Sequence, residues 1–322
     1  MTGSVSQAAQ ALLAADDILI LTHCRPDGDT TGCAGALCRG LRQLGKNAYI
    51  LPNAGVTARY APLVTPCYAP DDFQPACVVT TDIADYGLLP DNALPYRDRL
   101  DVVLDHHRSN AMSAPVRVVR ETAGACAELI LDVMDAMGVS LTADIAECIY
   151  IALSTDTGCF RYSNTVPDTL RGAARCLEAG VDGGEINRRL FEVKTWPRFQ
   201  MERIIFDTME FLMDGKIALV IIRRADIDRT GADMDDLDSI ASLTRQIEGV
   251  QVGITITENK DGTSKISVRT TKEVDASAIC AKCGGGGHLR AGGASLPCAP
   301  DAAREQILEA ARQVYAESEL AE

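Results

Sequence analysis

The chain has 322 residues, of which 47% are hydrophobic and 24% charged, and a formal net charge of −14 at pH 7. Its length suggests two domains, and this composition is ordinary for a globular protein. No apolar run reaches the roughly 18–20 residues that span a bilayer, and the N-terminus lacks the basic residues of a secretory signal. We therefore expect a cytoplasmic protein with no membrane partner. Its acidity disfavours long duplex nucleic acid but permits a small anionic substrate.

Strand and helix patterns alternate through the first half of the chain. Apolar runs predict strands at Asp17–Thr22, Asn47–Leu51, Ala76–Asp82, the run DVVL before Asp105, and Val116–Thr122. Amphipathic runs between and after them predict helices. Pro26 and Gly28 break the segment HCRPDGDTTG, which is predicted to be a loop, with Thr30 or Thr31 capping the next helix. This alternation predicts an α/β fold whose mostly parallel sheet has helices on both faces.

The second half has a different pattern. We expect an N-terminal domain at 1–193, a connector helix at 194–214 that begins near Trp196, and a smaller α+β C-terminal domain at 215–322. In the latter, KIALVIIRR, QVGITITE and KISVRT are predicted strands, and a turn at Asn259–Gly262 joins the last two. The runs DDLDSIASLTRQIEG and AAREQILEAARQVYAE are predicted helices.

Cysteines are numerous, but their spacing gives little sign of a metal site. Most of the twelve lie in predicted helices or strands, where a thiol behaves as a small hydrophobe. Cys280 and Cys283 form a CxxC pair, and no second pair completes a tetrahedral zinc site. We favour packing over metal binding for this pair.

Polar residues follow three of the predicted strands. His23 comes after the first strand, Asp82 ends the third, and Asp105 with His106 ends the fourth. Because ligands bind beyond the carboxyl ends of parallel strands, we expect these side chains to converge on one edge of the sheet. The segment DHH alone is equally consistent with a strand end whose histidines are partly exposed.

The remaining acidic candidates each have an alternative explanation. Asp27 and Asp29 are one residue apart in the predicted extended loop and can face the same side, one toward each of two neighbouring metal ions. Asp82 taken alone is better explained as a helix N-cap. Asp156 needs nothing beyond an ordinary helix C-terminus, although a carboxylate at the negative end of a helix dipole favours a nearby cation.

Together these residues indicate a class of chemistry. Mixed imidazole and carboxylate ligands suit manganese, magnesium or iron, and paired divalent ions about 3.5–4 Å apart serve phosphoester hydrolysis. The sequence has no Walker loop, no dinucleotide fingerprint and no serine nucleophile with a positioned base. Further on, the run GGGGH allows close backbone approach to an anion, although a flexible linker is the alternative.

The motifs HCRPDGD, TTD, LDHHRSN and STDTGCF resemble, in order, those of the DHH phosphoesterase superfamily. KISVRT and GGGGHLRAGGASL resemble the substrate-binding domain of one branch, most closely the bifunctional oligoribonuclease and pAp phosphatase enzymes. The manganese inorganic pyrophosphatases lack the GGGH signature. The chain departs from the family pattern in the segment after the histidine and at Cys283, a position where an aromatic residue is common. These departures leave base preference and substrate length open.

The resemblance implies a role for each site residue. Two divalent ions would be bound, Mn²⁺ ahead of Mg²⁺ or another metal, by His23 and Asp27 on one side and Asp29 and His106 on the other, with Asp82 and Asp156 at or between both. His107 would contact the scissile phosphate or orient a ligand, and Asp105 would hold a histidine in the right tautomer. Arg269 and His288 would bind the terminal phosphate of the substrate in a loop that contains Gly285, Gly286 and Gly287.

The function implied is hydrolysis of short oligoribonucleotides to nucleoside 5′-monophosphates, or release of the 3′-phosphate from pAp. A phosphodiesterase for c-di-AMP or the linear dinucleotide pApA is the alternative within the enzyme class. A nucleotide-binding sensor without turnover is a third possibility, which six metal-binding side chains argue against. The sequence leaves a homodimer open.

Overall fold

The computed structural model describes residues 3–237, 240–271 and 274–319. The chain divides into two compact units, residues 1–193 and 194–322. Within the described ranges, no helix is long and apolar enough to cross a membrane.

A five-stranded parallel sheet forms the centre of the first unit. Its strands are β1 (Ile18–Leu21), β2 (Ala48–Ile50), β3 (Cys77–Thr81), β4 (Val102–Asp105) and β5 (Val116–Val119). They lie in the order β2-β1-β3-β4-β5, and each neighbouring pair is parallel. The predicted α/β fold is confirmed, and the carboxyl ends of all five strands lie on one edge.

The α-helices of the first unit pack on one face of this sheet, and 3-10 turns lie on the other. The α-helices are α1 (Val5–Ala14), α2 (Gly28–Gln43), α3 (Ala61–Val64), α4 (Cys126–Met137), α5 (Ala143–Asp156), α6 (Pro167–Glu178) and α7 (Gly183–Asn187), which a π-helical turn continues over Arg188–Glu192. Alternate residues of β1 face opposite cores, since Ile18 packs with the α-helices and Leu19 packs with Leu89 and Ala93 near two 3-10 turns. Those turns are Tyr86–Leu88 and Asp91–Tyr96, and a third lies at Thr65–Cys67.

The start of α2 differs from the prediction. The helix begins at Gly28, and its N-cap is Asp27, whose Oδ1 accepts hydrogen bonds from the N–H groups of Asp29 (3.0 Å) and Thr30 (3.2 Å). The expected threonine cap is therefore wrong, since aspartate caps a helix at least as well as threonine. As a consequence, Asp29 lies in the first helical turn and not in an extended loop.

The second unit contains a six-stranded mixed sheet. Its strands are β6 (Glu210–Leu212), β7 (Ile217–Ile222), β8 (Val252–Glu258), β9 (Ser264–Thr270), β10 (Gly286–His288) and β11 (Ala291–Leu296), in the order β10-β11-β9-β8-β7-β6. Its helices are α8 (Trp196–Thr208), α9 (Arg224–Thr230), α10 (Met234–Leu237), α11 (Ala276–Ala281) and α12 (Pro300–Glu319), with a 3-10 helix at Ile240–Gln246. Cys280 is buried in the core of this unit, and Cys283 packs against that core.

Three segments of this unit differ from the expected elements. The predicted connector helix stops at Thr208, because Glu210–Leu212 pairs antiparallel with β7 as an edge strand. The run of glycines is not a loop but the hairpin β10–β11, in which Gly286 is opposite Gly293. The single helix expected over DDLDSIASLTRQIEG is divided into α10 and the 3-10 helix, and Asp238 and Ser239 lie outside the described residues.

Candidate metal centre

The predicted ligands meet at the carboxyl edge of the first sheet. His23 lies two residues after β1, Asp82 directly after β3 and His106 directly after β4, while Asp156 is the last residue of α5. Within the described residues, three groups of donor atoms each lie within 4.8 Å of one another: Asp82, His106 and His107; His23, Asp27 and Asp82; and Asp29, His106 and Asp156. The groups overlap, so the eight predicted residues form one site, with Asp105 joined to it through His107.

His106 is held with one ring nitrogen facing three carboxylates. Its Nδ1 lies 3.1 Å from the carbonyl oxygen of Ala123, which can only accept, so Nδ1 is assigned the proton. Its Nε2 lies 3.8 Å from Asp29, 3.5 Å from Asp82 and 3.7 Å from Asp156. The lone pair of a neutral imidazole would face only negative oxygens here, an arrangement that a cation between them would stabilise.

Asp82 is buried in a strained conformation, and in the described structure one of its oxygens accepts no hydrogen bond. Its φ is +58°, its exposed fraction is 3%, and its Oδ1 forms no hydrogen bond within the described part of the chain. Burial, and then the charge of Asp29, raise the pKa of this carboxyl well above its ordinary value. Asp85, and not Asp82, is the N-cap of the following 3-10 turn. Strain and an unpaired buried oxygen together are typical of a functional carboxylate.

Asp29 reaches from α2 to the N-terminus of α4. Its Oδ2 accepts a hydrogen bond from the N–H of Cys126 (2.6 Å), and its Oδ1 accepts bonds from the N–H of Ala127 (3.2 Å) and the thiol of Cys33 (3.1 Å). The residue before α4, Ala125, provides no side-chain cap. Asp29 thus serves as the cap for α4, and its Oδ2, which accepts one hydrogen bond, keeps a lone pair for a cation.

The site concentrates negative charge, and two of its carboxylates, Asp29 and Asp82, are buried. Burial raises the pKa of Asp29 to about 6, although the nearby His106 opposes the shift. Burial, and then the charge of Asp29, raise the pKa of Asp156 to about 7. Because divalent cations neutralise such clusters, and hard oxygen and imidazole donors suit Mg²⁺, Mn²⁺ or iron, the residues present fit a divalent metal site.

His23 and Asp27 complete the side of the site nearest β1. His23 Nε2 lies 3.7 Å from Asp27 Oδ1. The backbone of His23 is fixed by Asn53, whose Nδ2 donates to its carbonyl oxygen (2.9 Å). Asp27 Oδ1 also caps α2, so the start of that helix and the proposed metal site share one carboxylate.

His107 differs from His106 in what its ring contacts. Its Nδ1 lies 2.8 Å from Asp105 Oδ1, which also accepts the N–H groups of His106 (2.8 Å) and His107 (3.2 Å). Burial opposes protonation of His107, but the bond to Asp105 outweighs it and raises the pKa of the imidazole. Since Asp105 holds the Nδ1 proton, Nε2 is the nitrogen left for another ligand.

Two contributors to the site were missed by the sequence predictions. Asn110 donates to Asp105 Oδ2 (2.6 Å) and to the carbonyl oxygen of Ile83 (3.0 Å), and Arg117 donates to Asn110 Oδ1 (2.9 Å). Asn110 closes the segment LDHHRSN, so its proximity in sequence was the available signal. Ala123 acts through its backbone alone, for which a side-chain pattern gives no signal.

The predicted substrate-binding residues lie in the second unit. Arg269 is on β9, opposite Ala291 of β11. A side chain at Gly285 would meet the carbonyl of Gly293, and Gly287 has a φ of +143°, so the hairpin itself requires glycine at both positions. At Gly286 a methyl group would meet no described heavy atom within 4 Å, which leaves room for a ligand. The side chain of His288 lies outside the described part of the chain.

Comparison with known proteins gives a consistent family assignment. The DHH family N-terminal domain matches residues 17–153, and the DHHA1 domain matches residues 214–317. The bifunctional oligoribonuclease and PAP phosphatase NrnA of Thermus thermophilus is 33% identical over 92% of this chain and 89% of that protein. The cyclic-di-AMP phosphodiesterase GdpP of Geobacillus thermodenitrificans is 25% identical over 97% of this chain and 50% of that protein.

A solved structure shows the same fold. An exopolyphosphatase-related protein from Bacteroides fragilis superposes with a TM-score of 0.88 at 20% identity, over 98% of this chain and 97% of that one. Apart from Asp156, the ligand cluster at the sheet edge lies within the first matched domain, and the glycine hairpin lies within the second. The chain therefore belongs to the DHH family, as a DHH domain followed by a DHHA1 domain.

Proposed function

We propose that the protein is a two-metal phosphoesterase that hydrolyses short oligoribonucleotides to nucleoside 5′-monophosphates and releases the 3′-phosphate of adenosine 3′,5′-bisphosphate (pAp). The position of His106 Nε2, within 3.5–3.8 Å of three carboxylates, supports this most strongly. The Thermus relative is named for both activities and aligns with 92% of this chain.

The donor set supports two ions, and we propose Mn²⁺ as the preferred metal. His23 and Asp27 would hold one ion and Asp29, His106 and Asp156 the other, with Asp82 near both, as the groups of donor atoms suggest. Divalent ions supply an activated water and neutralise charge on the phosphoryl oxygens when bound. Oxygen and imidazole ligands are compatible with Mn²⁺ and Mg²⁺, and hydrolysis rates at equal concentrations of the two ions test the proposed preference.

The chain's own residues would orient the substrate. In its protonated form, which the bond to Asp105 favours by raising the pKa of the imidazole, His107 would donate a hydrogen bond from Nε2 to the scissile phosphate while Nδ1 donates to Asp105. In the second unit, Arg269 and the glycine hairpin would bind the terminal phosphate, with the backbone N–H groups near Gly286 accessible to it. The net charge of −14 supports a short substrate over a long strand.

A phosphodiesterase for c-di-AMP or pApA is the second candidate, and the Geobacillus relative named for cyclic-di-AMP favours it. That relative is less similar, and this chain spans half of its length. The same metal centre would serve both reactions, so only the substrate preference distinguishes them.

One panel of substrates tests these candidates. Purified protein with Mn²⁺ is incubated with pAp, pApA, c-di-AMP, short RNAs and pyrophosphate, and the products are separated. We expect pAp and RNAs of a few nucleotides to be hydrolysed fastest, and Asp82→Ala and His106→Ala to be inactive. Faster turnover of c-di-AMP would favour the second candidate. Metal binding without turnover of any compound would indicate a nucleotide-binding sensor, and variants as active as the parent would contradict the proposed site.

A further inference from the structure

A cavity of about 840 Å³ opens in the first unit beside the metal centre. Its walls come from the segments that follow β1, β2 and β3, together with Tyr68, which pairs with the last residue of β2. Since these strands are neighbours in a parallel sheet, the cavity lies on the edge where the metal ligands meet. Its volume is within the roughly 300–1,000 Å³ of small-molecule sites.

The cavity is joined directly to a proposed metal ligand. Cys24, which lines it, follows His23 in the chain. Asn53 also lines it and donates through Nδ2 to the carbonyl oxygen of His23 and to Thr22 Oγ1, both at 2.9 Å. A group bound in the cavity would therefore lie beside the backbone of a proposed metal ligand.

The walls are tied together and largely apolar. The N–H of Cys24 donates to the carbonyl oxygen of Leu88 (2.7 Å), and Asn92 Nδ2 donates to that of Pro52 (2.7 Å), so the three segments hold one another in place. The ring of Tyr68 and the side chain of Leu89 supply apolar surface. The described lining residues include Asp91 and no lysine or arginine, which argues against a phosphate, and the ring of Tyr68 favours a flat group.

We propose that this cavity is a nucleobase subsite, which binds the base of the nucleotide whose phosphate lies at the metal centre, with Tyr68 as the stacking surface. The proposal rests on the proposed phosphoesterase function, because it is the phosphate at the metals that brings a base to this edge. Stacking of a base on an aromatic ring contributes enough to change binding about tenfold. The base would thus contribute to substrate selection in the catalytic domain itself.

The test compares substrates with and without a base. The ratio of kcat/KM for pAp to that for ribose 3′,5′-bisphosphate is measured in the parent, in Ala54→Trp, which fills the cavity from an exposed lining position, and in Leu94→Trp. Leu94 is 48% exposed in the 3-10 turn Asp91–Tyr96 and does not line the cavity, so it is the matched control. We expect the ratio to be about ten in the parent and the control and to fall toward one in Ala54→Trp.

A parent ratio near one, or an unchanged ratio in a folded Ala54→Trp protein, would overturn the subsite while leaving the phosphoesterase function in place. Tyr68→Leu removes the ring without adding bulk, and we expect it to lower the ratio as well, so the result does not depend on one variant. Calorimetric binding of adenosine 5′-monophosphate against ribose 5-phosphate gives a reading without turnover. If no compound is hydrolysed but calorimetry shows a base preference that Ala54→Trp abolishes, the proposed function is contradicted and the subsite is supported.

Discussion

At the scale of single residues, hydrogen bonds to the protein fix side chains of the metal centre. His106 is anchored through Nδ1 to Ala123, His107 through Nδ1 to Asp105, and Asp29 through both oxygens to the start of α4. Such partners fix ring orientation and tautomer before a ligand arrives. Asp82 is the exception, because its Oδ1 is buried without a hydrogen bond in the described structure.

This exception leads to a prediction for Asp82→Asn. Burial raises the pKa of Asp82 in the folded protein above its unfolded value near 3.9. The metal-free fold therefore loses stability as the pH rises above that unfolded value, because the unfolded chain ionises this carboxyl more readily than the folded one. The amide also tolerates a φ of +58°. We expect the variant to lose activity but, in EDTA at pH 7, to gain about 1 kcal/mol in free energy of unfolding. Denaturant titrations should show this gain disappearing as the pH falls toward about 4, and a less stable variant at pH 7 would contradict the explanation.

A second residue-scale prediction concerns Asn110, which holds Asp105 and so acts on His107 indirectly. Asn110→Ala removes the donor at 2.6 Å from a fully buried carboxylate, which costs about 1–3 kcal/mol of stability. We expect bound metal to stay near the parent level while kcat falls, because no proposed metal ligand is lost. The control is Asn47→Ala, which removes a hydrogen bond to Asp17 at the amino ends of β1 and β2. Loss of metal in parallel with activity would show that Asn110 does more than position His107.

At the scale of elements, two helices begin at the metal centre with carboxylates as their caps. Asp27 caps α2 and Asp29 caps α4, from a position 97 residues earlier in the chain. Carboxylates are favourable at the positive end of a helix dipole, so these helices help to keep the two side chains in place. Cation binding and helix initiation therefore depend on the same oxygens.

A matched N-cap elsewhere in the chain separates the two roles of Asp27, helix capping and metal binding. Ser4 caps α1 with a capping box and contributes nothing to the site. We expect Ser4→Ala and Asp27→Ala each to lower stability by about 1 kcal/mol in EDTA. Added Mn²⁺ should leave the loss in Ser4→Ala unchanged and enlarge the loss in Asp27→Ala, because only the latter also loses a ligand. Thermal unfolding with and without metal measures both, and equal losses in Mn²⁺ would exclude Asp27 as a ligand.

At the scale of the whole molecule, every proposed metal ligand belongs to the first unit, and each unit has its own core. Metal should therefore stabilise the first unit by about 2.7 kcal/mol when its free concentration is a hundredfold above Kd. Hydrogen exchange followed by mass spectrometry should show slower exchange around β1, β3 and β4 on adding Mn²⁺. No protection in those peptides would contradict the location of the site.

The sequence predicted the sheet and the convergence of its ligands because both follow from local patterns. Apolar runs marked β1, β3 and β4, and the polar residue after each was visible directly. The cap of α4 by Asp29 could not be predicted, since it joins residues 97 apart through backbone N–H groups. Glycine carries no alternation of apolar and polar side chains, so the hairpin at Gly286 gave no strand signal. The segment at Glu210 became a strand through pairing with β7, which overrode its helical pattern.

The central claim is that the centre around His106 hydrolyses phosphoesters with bound divalent metal. Its most direct test is the rate of phosphate release from pAp in Mn²⁺ by the parent and by His106→Ala, with folding of both checked by circular dichroism. We expect multiple turnovers by the parent and a rate at least about a hundredfold lower in the variant, since even the partners of metal ligands change activity by roughly 10–100-fold. Equal rates in the two proteins, or undiminished release by the parent after metal is removed with EDTA, would contradict it.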